Sequence, residues 1–159
     1  GLAERVCYCG RENCVETFLS GPGLLATHLE LWPAEAEPPD SAEAIYRRAN
    51  LAGAAESWWL GDQVTDGSAG SGEQQARLTL RLWCQMLAAN LAAIVNTLDP
   101  HAIVLGGGLS QMTEVYAVVR AMMEAHVFGE VFETALLPPR FGASSGVRGA
   151  AWLWDPEGL

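Results

Sequence analysis

Apolar positions early in the chain recur at helical spacing in two short runs, Val15 to Leu19 and Pro22 to Trp32, interrupted by the turn Ser20-Gly21-Pro22-Gly23. Two short helices are predicted there. The segment Pro33-Ala34-Glu35-Ala36-Glu37-Pro38-Pro39 has no such period, and its prolines and acids predict a solvated connector. Asp40 to Glu43 then offers a side-chain cap for a helix over Ile45 to Trp59. Gly61 to Gly72 is aperiodic, with four glycines, two aspartates and two serines, and is the best internal boundary. Ser71, followed three residues later by Gln74, opens a long helix predicted to reach Leu98. From Leu82 onward that helix is apolar nearly all round, so it is expected to be central and buried.

Asp99-Pro100 stops the helix, and Ala102-Ile103-Val104-Leu105 is a continuous apolar run of the kind found in a buried parallel strand. Gly106-Gly107-Gly108 follows directly, and Ser110 can cap a helix over Thr113 to Val127. Phe132 to Leu137 reads as a second strand, and Ser145 to Trp154 as a closing helix whose Gly146, Gly149 and Ala150 form a small-residue face. Helix, strand, glycine turn, helix, strand, helix is an α/β layout in one domain.

At 159 residues and 50% apolar, the chain is long enough for a core that buries roughly 70% of its unfolded surface. Its 8% aromatic content and mean hydropathy of +0.12 exclude a disordered or fibrous chain. No uninterrupted apolar run approaches the ~20 residues that cross a bilayer. The net charge is −10 and all nine basic residues are arginine. With no lysine, a P-loop lysine, a Schiff-base lysine and a polybasic nucleic-acid or membrane patch are excluded. The chain opens at Gly1 without an initiator methionine and its cysteine cluster begins six residues later, so it reads as a segment of something longer.

Three of the four cysteines crowd into Cys7-Tyr8-Cys9-Gly10-Arg11-Glu12-Asn13-Cys14. Two thiols one residue apart and a third five further on, with a glycine to fold the backbone, suit three positions of a tetrahedral zinc. The plain alternative is a loop with incidental reduced thiols. Such a cluster fits a reducing cytoplasm. Cys84 lies among Leu82, Trp83, Met86 and Leu87 and is expected to be core. His28, His101 and His126 are isolated and are expected to be ordinary surface or partly buried residues. The triple glycine after a strand lets a flat or anionic ligand approach the backbone, although a plain tight turn explains it equally well.

These strings resemble the ROK family of sugar kinases and repressors (repressor, open reading frame, kinase). Cys7-x-Cys9-Gly10-x-x-x-Cys14-x-Glu16 is similar to its cysteine signature, and Thr17 to Gly23, Leu98 to Ser110 and Gly142 to Ala151 continue the likeness. The wording around Glu16-Thr17-Phe18 and Gly146 to Trp154 is closest to the bacterial fructokinase and manno(fructo)kinase branch. One position departs: the family usually has glycine before its third cysteine, and here it is Asn13, which tolerates the left-handed backbone.

The resemblance implies an actin-like (ribonuclease H-like) C-terminal lobe of a two-lobed, ATP- and Mg²⁺-dependent hexose kinase. Within residues 1–159 it implies a zinc knuckle at 5–16, a helical segment at 17–60, and the long helix, strand, glycine turn and helices over 71–154. Cys7, Cys9 and Cys14 would be three ligands of a structural Zn²⁺, the fourth being a histidine upstream. Glu16 would accept hydrogen bonds from sugar hydroxyls, against the plainer reading of a first-turn helix acid. Gly106, Gly107 and Gly108 would line the adenosine site. The phosphate loops and the catalytic aspartate lie upstream of the matched part, and Asp62, Asp66 and Asp99 fit no catalytic motif, so no catalytic residue is assigned here. The expectation is a fructokinase-like protein whose present segment is inactive alone and holds zinc weakly. It would be cytoplasmic and dimeric, with a missing N-terminal lobe, and would touch neither nucleic acid nor membrane. Trp152 and Trp154 would lose a partner and cover a neighbouring chain. The runner-up is the effector domain of a sugar-sensing ROK repressor, and a third reading is a zinc module for protein contacts.

Overall fold

Ser20 is extended and its hydroxyl accepts from the Gly23 N–H at 3.2 Å, which starts one helix directly after another ends. In the computed structural model, which describes residues 1–51, 58–59, 71–129 and 132–153, these are α1 (Glu16–Leu19) and α2 (Gly21–Leu31), as predicted. Pro22 sits in the first turn of α2, where its missing N–H costs nothing. Helix α3 (Ala42–Ala49) is capped by Ser41, whose hydroxyl accepts from the Ala44 N–H at 3.1 Å. It ends well before the expected Trp59, because Asn50 adopts a left-handed φ of 48° and turns the chain away. Most of the expected glycine-rich loop, including Asp62 and Asp66, lies outside the described residues.

Helix α4 (Gly72–Leu98) begins at Ser71, which accepts from the Gln74 N–H, and stops at Asp99, whose φ is 45°. Ala76, Leu80, Trp83, Cys84, Leu87, Ala88, Leu91 and Val95 are buried along it at spacings of three and four, with α2, α3 and α5 packed on it. The expectation of a helix buried all round is corrected: Ile94 and Leu98 are 42% and 72% exposed. Among the described residues α4 is the one helix long and apolar enough to cross a membrane, and its apolar stripe is accounted for by this core. Cys84 is fully buried there, as expected.

Strands β1 (Ala102–Val104) and β2 (Ala135–Leu137) pair in parallel, Ile103 opposite Leu136, through a crossover carrying α5 (Val115–Met123). The predicted buried strand is corrected to a half-buried one. Ile103 and Leu136 pack on the core while Val104 and Leu137 are 58% and 43% exposed, because the described helices cover a single face of this pair. Strand β2 is also shorter than its predicted start at Phe132. Ser110 does not cap α5: it lies in a 3₁₀ turn, Gly108–Gln111, and its hydroxyl donates to the Gly107 carbonyl at 2.6 Å. A second 3₁₀ turn, Gly142–Ser144, leads into α6 (Ser145–Ala151), which has no buried residue. Trp152 is 81% exposed, and Trp154 lies outside the described residues.

Candidate functional site

The cysteine segment folds as a small antiparallel loop. The Cys7 N–H donates to the Arg11 carbonyl at 2.8 Å and the Gly10 N–H to the Cys7 carbonyl at 2.9 Å, with Gly10 at φ 83°. Arg5 and Asn13 close the base of the loop reciprocally. The Asn13 N–H donates to the Arg5 carbonyl at 2.8 Å, and the Arg5 N–H to the Asn13 side-chain oxygen at 2.9 Å. Asn13 has φ 55°, so it takes up the left-handed conformation expected of it.

This closure brings the Sγ atoms of Cys7, Cys9 and Cys14 within 4.8 Å of one another, with Cys9 and Cys14 3.6 Å apart. Tetrahedral Zn–S bonds of ~2.3 Å place sulfurs about 3.8 Å apart, so the donor set and its spacing fit zinc. No fourth histidine, cysteine or carboxylate joins the cluster among the described residues. The Cys9 thiol is shifted down, first by a backbone N–H of Arg11 and then by the neighbouring thiols. Cys14 is pushed up to about 11, first by its side-chain hydrogen bond to Cys9 and then by that to Cys7.

Glu16 follows two residues later as the first residue of α1, and it is exposed. Its carboxylate makes no hydrogen bond or ion pair among the described residues. The turn that carries it is anchored from several sides. The Thr17 N–H and hydroxyl donate to the Cys14 carbonyl at 2.9 and 2.7 Å, and the Trp83 Nε1–H donates to the Leu19 carbonyl at 3.2 Å. Gly23 permits close approach of α2: a Cβ there would lie 2.7 Å from the Phe18 carbonyl carbon and the Thr17 oxygen.

The glycine turn stands at the carboxyl end of β1, with Gly107 at φ 83°. A Cβ at Gly106, Gly107 or Gly108 would meet nothing within 4 Å, so the backbone there faces open space. Gly108, Leu109, Gln111 and Met112 line a cleft of about 730 Å³ against Gly21, Pro22 and Leu25 of α2 and Ala42, Tyr46 and Arg47 of α3. Gly106 and Gly107 lie outside its lining. The Tyr116 hydroxyl donates to the Ser110 carbonyl at 2.9 Å, which fixes the turn. At the α3 side the Tyr46 hydroxyl donates to the Glu114 carboxylate. Burial first, and then this carboxylate, push Tyr46 up to about 12, while the bond holds Glu114 below the usual carboxylate range. The structure therefore brings the three cysteines together, with Glu16 two residues beyond Cys14 at the start of α1, and sets Gly108 against α2 and α3.

His28 corrects its expectation. It is fully buried, with Nδ1 2.9 Å from the Thr79 hydroxyl and Nε2 2.8 Å from the Glu35 carboxylate. The Trp32 Nε1–H also donates to Thr79 at 3.1 Å, and Arg48 donates to Glu35, so α2, the acidic connector, α3 and α4 are tied in one polar network. Glu35 is thus an interior ion partner within a segment predicted to be solvated. Neither that network nor Arg5 carries a local sequence signal, because each partner set is distant in sequence.

The ROK family model matches residues 2–157. The chain is 32% identical over 148 residues to the N-acetylgalactosamine kinase AgaK of Shewanella sp. (strain ANA-3), covering 93% of this chain and 40% of that protein. It is 30% identical over 148 residues to the N-acetyl-D-glucosamine kinase of Pasteurella multocida (strain Pm70), covering 93% and 41%. Its fold is similar to that of a ROK family glucokinase from Streptomyces griseus, solved in complex with glucose and AMPPNP. The TM-score is 0.72 at 21% identity, over 93% of this chain and 46% of that one. The chain spans about two fifths of the length of these curated relatives.

Proposed function

The chain belongs to the ROK family, and from that premise we propose that it is the sugar- and adenosine-holding part of an ATP-dependent hexose kinase. The observation that supports this most is the three-sulfur cluster two residues before an exposed carboxylate that has no partner among the described residues. Glu16, in its charged form, accepts hydrogen bonds from neighbouring hydroxyls of a hexose, and charge-assisted bonds of this kind are roughly twice as strong as neutral ones. Cys7, Cys9 and Cys14 would hold a structural Zn²⁺, which would supply rigidity to the loop and no reaction chemistry. The cleft between Gly108, α2 and α3 takes the adenosine of Mg-ATP, its apolar lining suiting a flat base.

The relatives' names favour an N-acetylhexosamine or glucose as the sugar, with fructose the alternative carried by the wording of the sequence. These relatives are kinases, which supports transfer over a repressor role. Phosphoryl transfer needs a base for the sugar hydroxyl and groups around the phosphates, which no described residue of this chain is placed to supply. Asp99 is a helix stop and Asp40 accepts from the Ser41 hydroxyl. A second lobe is therefore part of the proposal, as are a reducing, ATP-containing cytoplasm and a dimer.

The test is coupled ADP release with N-acetylglucosamine, N-acetylgalactosamine, glucose and fructose, using the longer protein and residues 1–159 alone. Turnover by the longer protein, with an N-acetylhexosamine or glucose preferred, and none by the segment is the expected result. Robust turnover by the segment, or none on any hexose by the longer protein, would overturn the reading.

A further inference from the structure

Arg5 holds a more central place than anything in its sequence context announces. Its guanidinium, on a side chain only 13% exposed, donates to the Thr17 carbonyl at 2.9 Å and the Gly23 carbonyl at 3.0 Å. It also donates to the Thr27 hydroxyl at 3.0 Å and the Glu30 carboxylate at 3.1 Å. The same group stacks on the Phe18 ring, 4.5 Å from its centroid. Glu30 is held below its ordinary carboxylate range, first by the Ala3 N–H and then by Arg5. Through its backbone, Arg5 is also one half of the reciprocal pair with Asn13 that closes the cysteine loop.

Helix α1 is oriented mainly by hydrogen bonds and by the close approach of α2 at Gly23. It is four residues long, has no side-chain cap at its start and contains no buried residue, so neither propensity nor burial fixes its direction. What fixes it are a few hydrogen bonds: Thr17 donates to the Cys14 carbonyl through its N–H and hydroxyl, Trp83 donates to the Leu19 carbonyl, and Arg5 donates to the Thr17 carbonyl while also holding α2 at Gly23, Thr27 and Glu30. A guanidinium suits the task because its rigid fork meets several acceptors at set angles, whereas an ammonium offers one mobile point charge.

From this we infer that Arg5 is the positioning residue for Glu16, locking the cysteine loop, α1 and α2 into one body so that the carboxylate meets the sugar at a fixed place. The inference rests on the reading of Glu16 given above. Arg5 itself touches no substrate. Because it acts on a binding group used alike before and during transfer, its loss shows in the hexose KM and hardly in kcat.

The experiment compares Arg5→Ala, Arg5→Lys and Glu16→Gln in the longer protein by steady-state kinetics against hexose at saturating ATP, with and without added methylguanidine. Arg5→Ala is expected to raise the hexose KM about 10-fold with kcat changed less than about 3-fold, since misaligned contacts weaken binding without touching the transfer chemistry. Methylguanidine restores part of that loss, has no effect on Glu16→Gln, and Arg5→Lys keeps a raised KM. If Glu16→Gln raises KM while folded Arg5→Ala leaves it unchanged, the inference is overturned and the reading of Glu16 stands. If Glu16→Gln leaves KM unchanged, the reading falls and the inference with it. Should Arg5→Ala fail to fold, Arg5→Lys decides: a wild-type hexose KM in that variant overturns the inference.

Discussion

Cys14→Ser is expected to cut the zinc affinity of the longer protein by about 10²-fold or more, because a structural site worth ~10–16 kcal/mol shared among four ligands loses about 3 kcal/mol with one of them. The loss follows from placement: Cys14 Sγ is 3.6 Å from Cys9 Sγ, and Cys14 is the donor nearest in sequence to Glu16. Cys84 provides the control, since it is fully buried in the α4 core and burial alone pushes its thiol far up, so Cys84→Ala leaves zinc binding unchanged. Competition with a chromophoric chelator measures both. With three candidate ligands among the described residues, residues 1–159 alone should bind less than one equivalent. Equal zinc affinity in Cys14→Ser and wild type would remove the cluster from the account.

Trp83→Ala carries the largest expected loss of stability, about 3–5 kcal/mol, the usual range for deleting a buried tryptophan. Trp83 is 3% exposed among the residues that join α4 to the rest of the core, and its Nε1–H is bonded to the last residue of α1. Against a typical total of ~5–15 kcal/mol, that loss brings the fold near its limit. Trp83→Phe keeps most of the packing and drops only the bond to Leu19, so it should cost nearer 1 kcal/mol beyond the lost area. Urea unfolding followed by circular dichroism reads both. A Trp83→Ala loss below about 1 kcal/mol would mean that α4 is not the axis of the core.

The parts of this molecule written in neighbouring residues could be read before the fold was known. Ser41, Ser71 and Asp99-Pro100 mark helix ends through bonds that span a few residues, and all three mark ends in the structure. Asn13 takes the left-handed turn for the same local reason. The start of α5 failed the same logic, since Ser110 spends its hydroxyl on Gly107 inside a 3₁₀ turn. What stayed hidden depends on partners far along the chain. His28 meets Thr79 across 51 residues, Arg5 meets Glu30 across 25, and the cleft is built from the glycine turn and two helices well before it. The strand pair misled for a related reason. A continuous apolar run predicts cover on both sides, and the described helices supply it on one.

The most direct measurement is the dissociation constant for hexose of the longer protein and of its Glu16→Gln variant, by calorimetric titration. Losing a charged acceptor for sugar hydroxyls should raise it about 10- to 100-fold, the equivalent of ~1.5–3 kcal/mol, with zinc content unchanged. An unaltered constant in a folded, zinc-loaded Glu16→Gln protein would contradict the account.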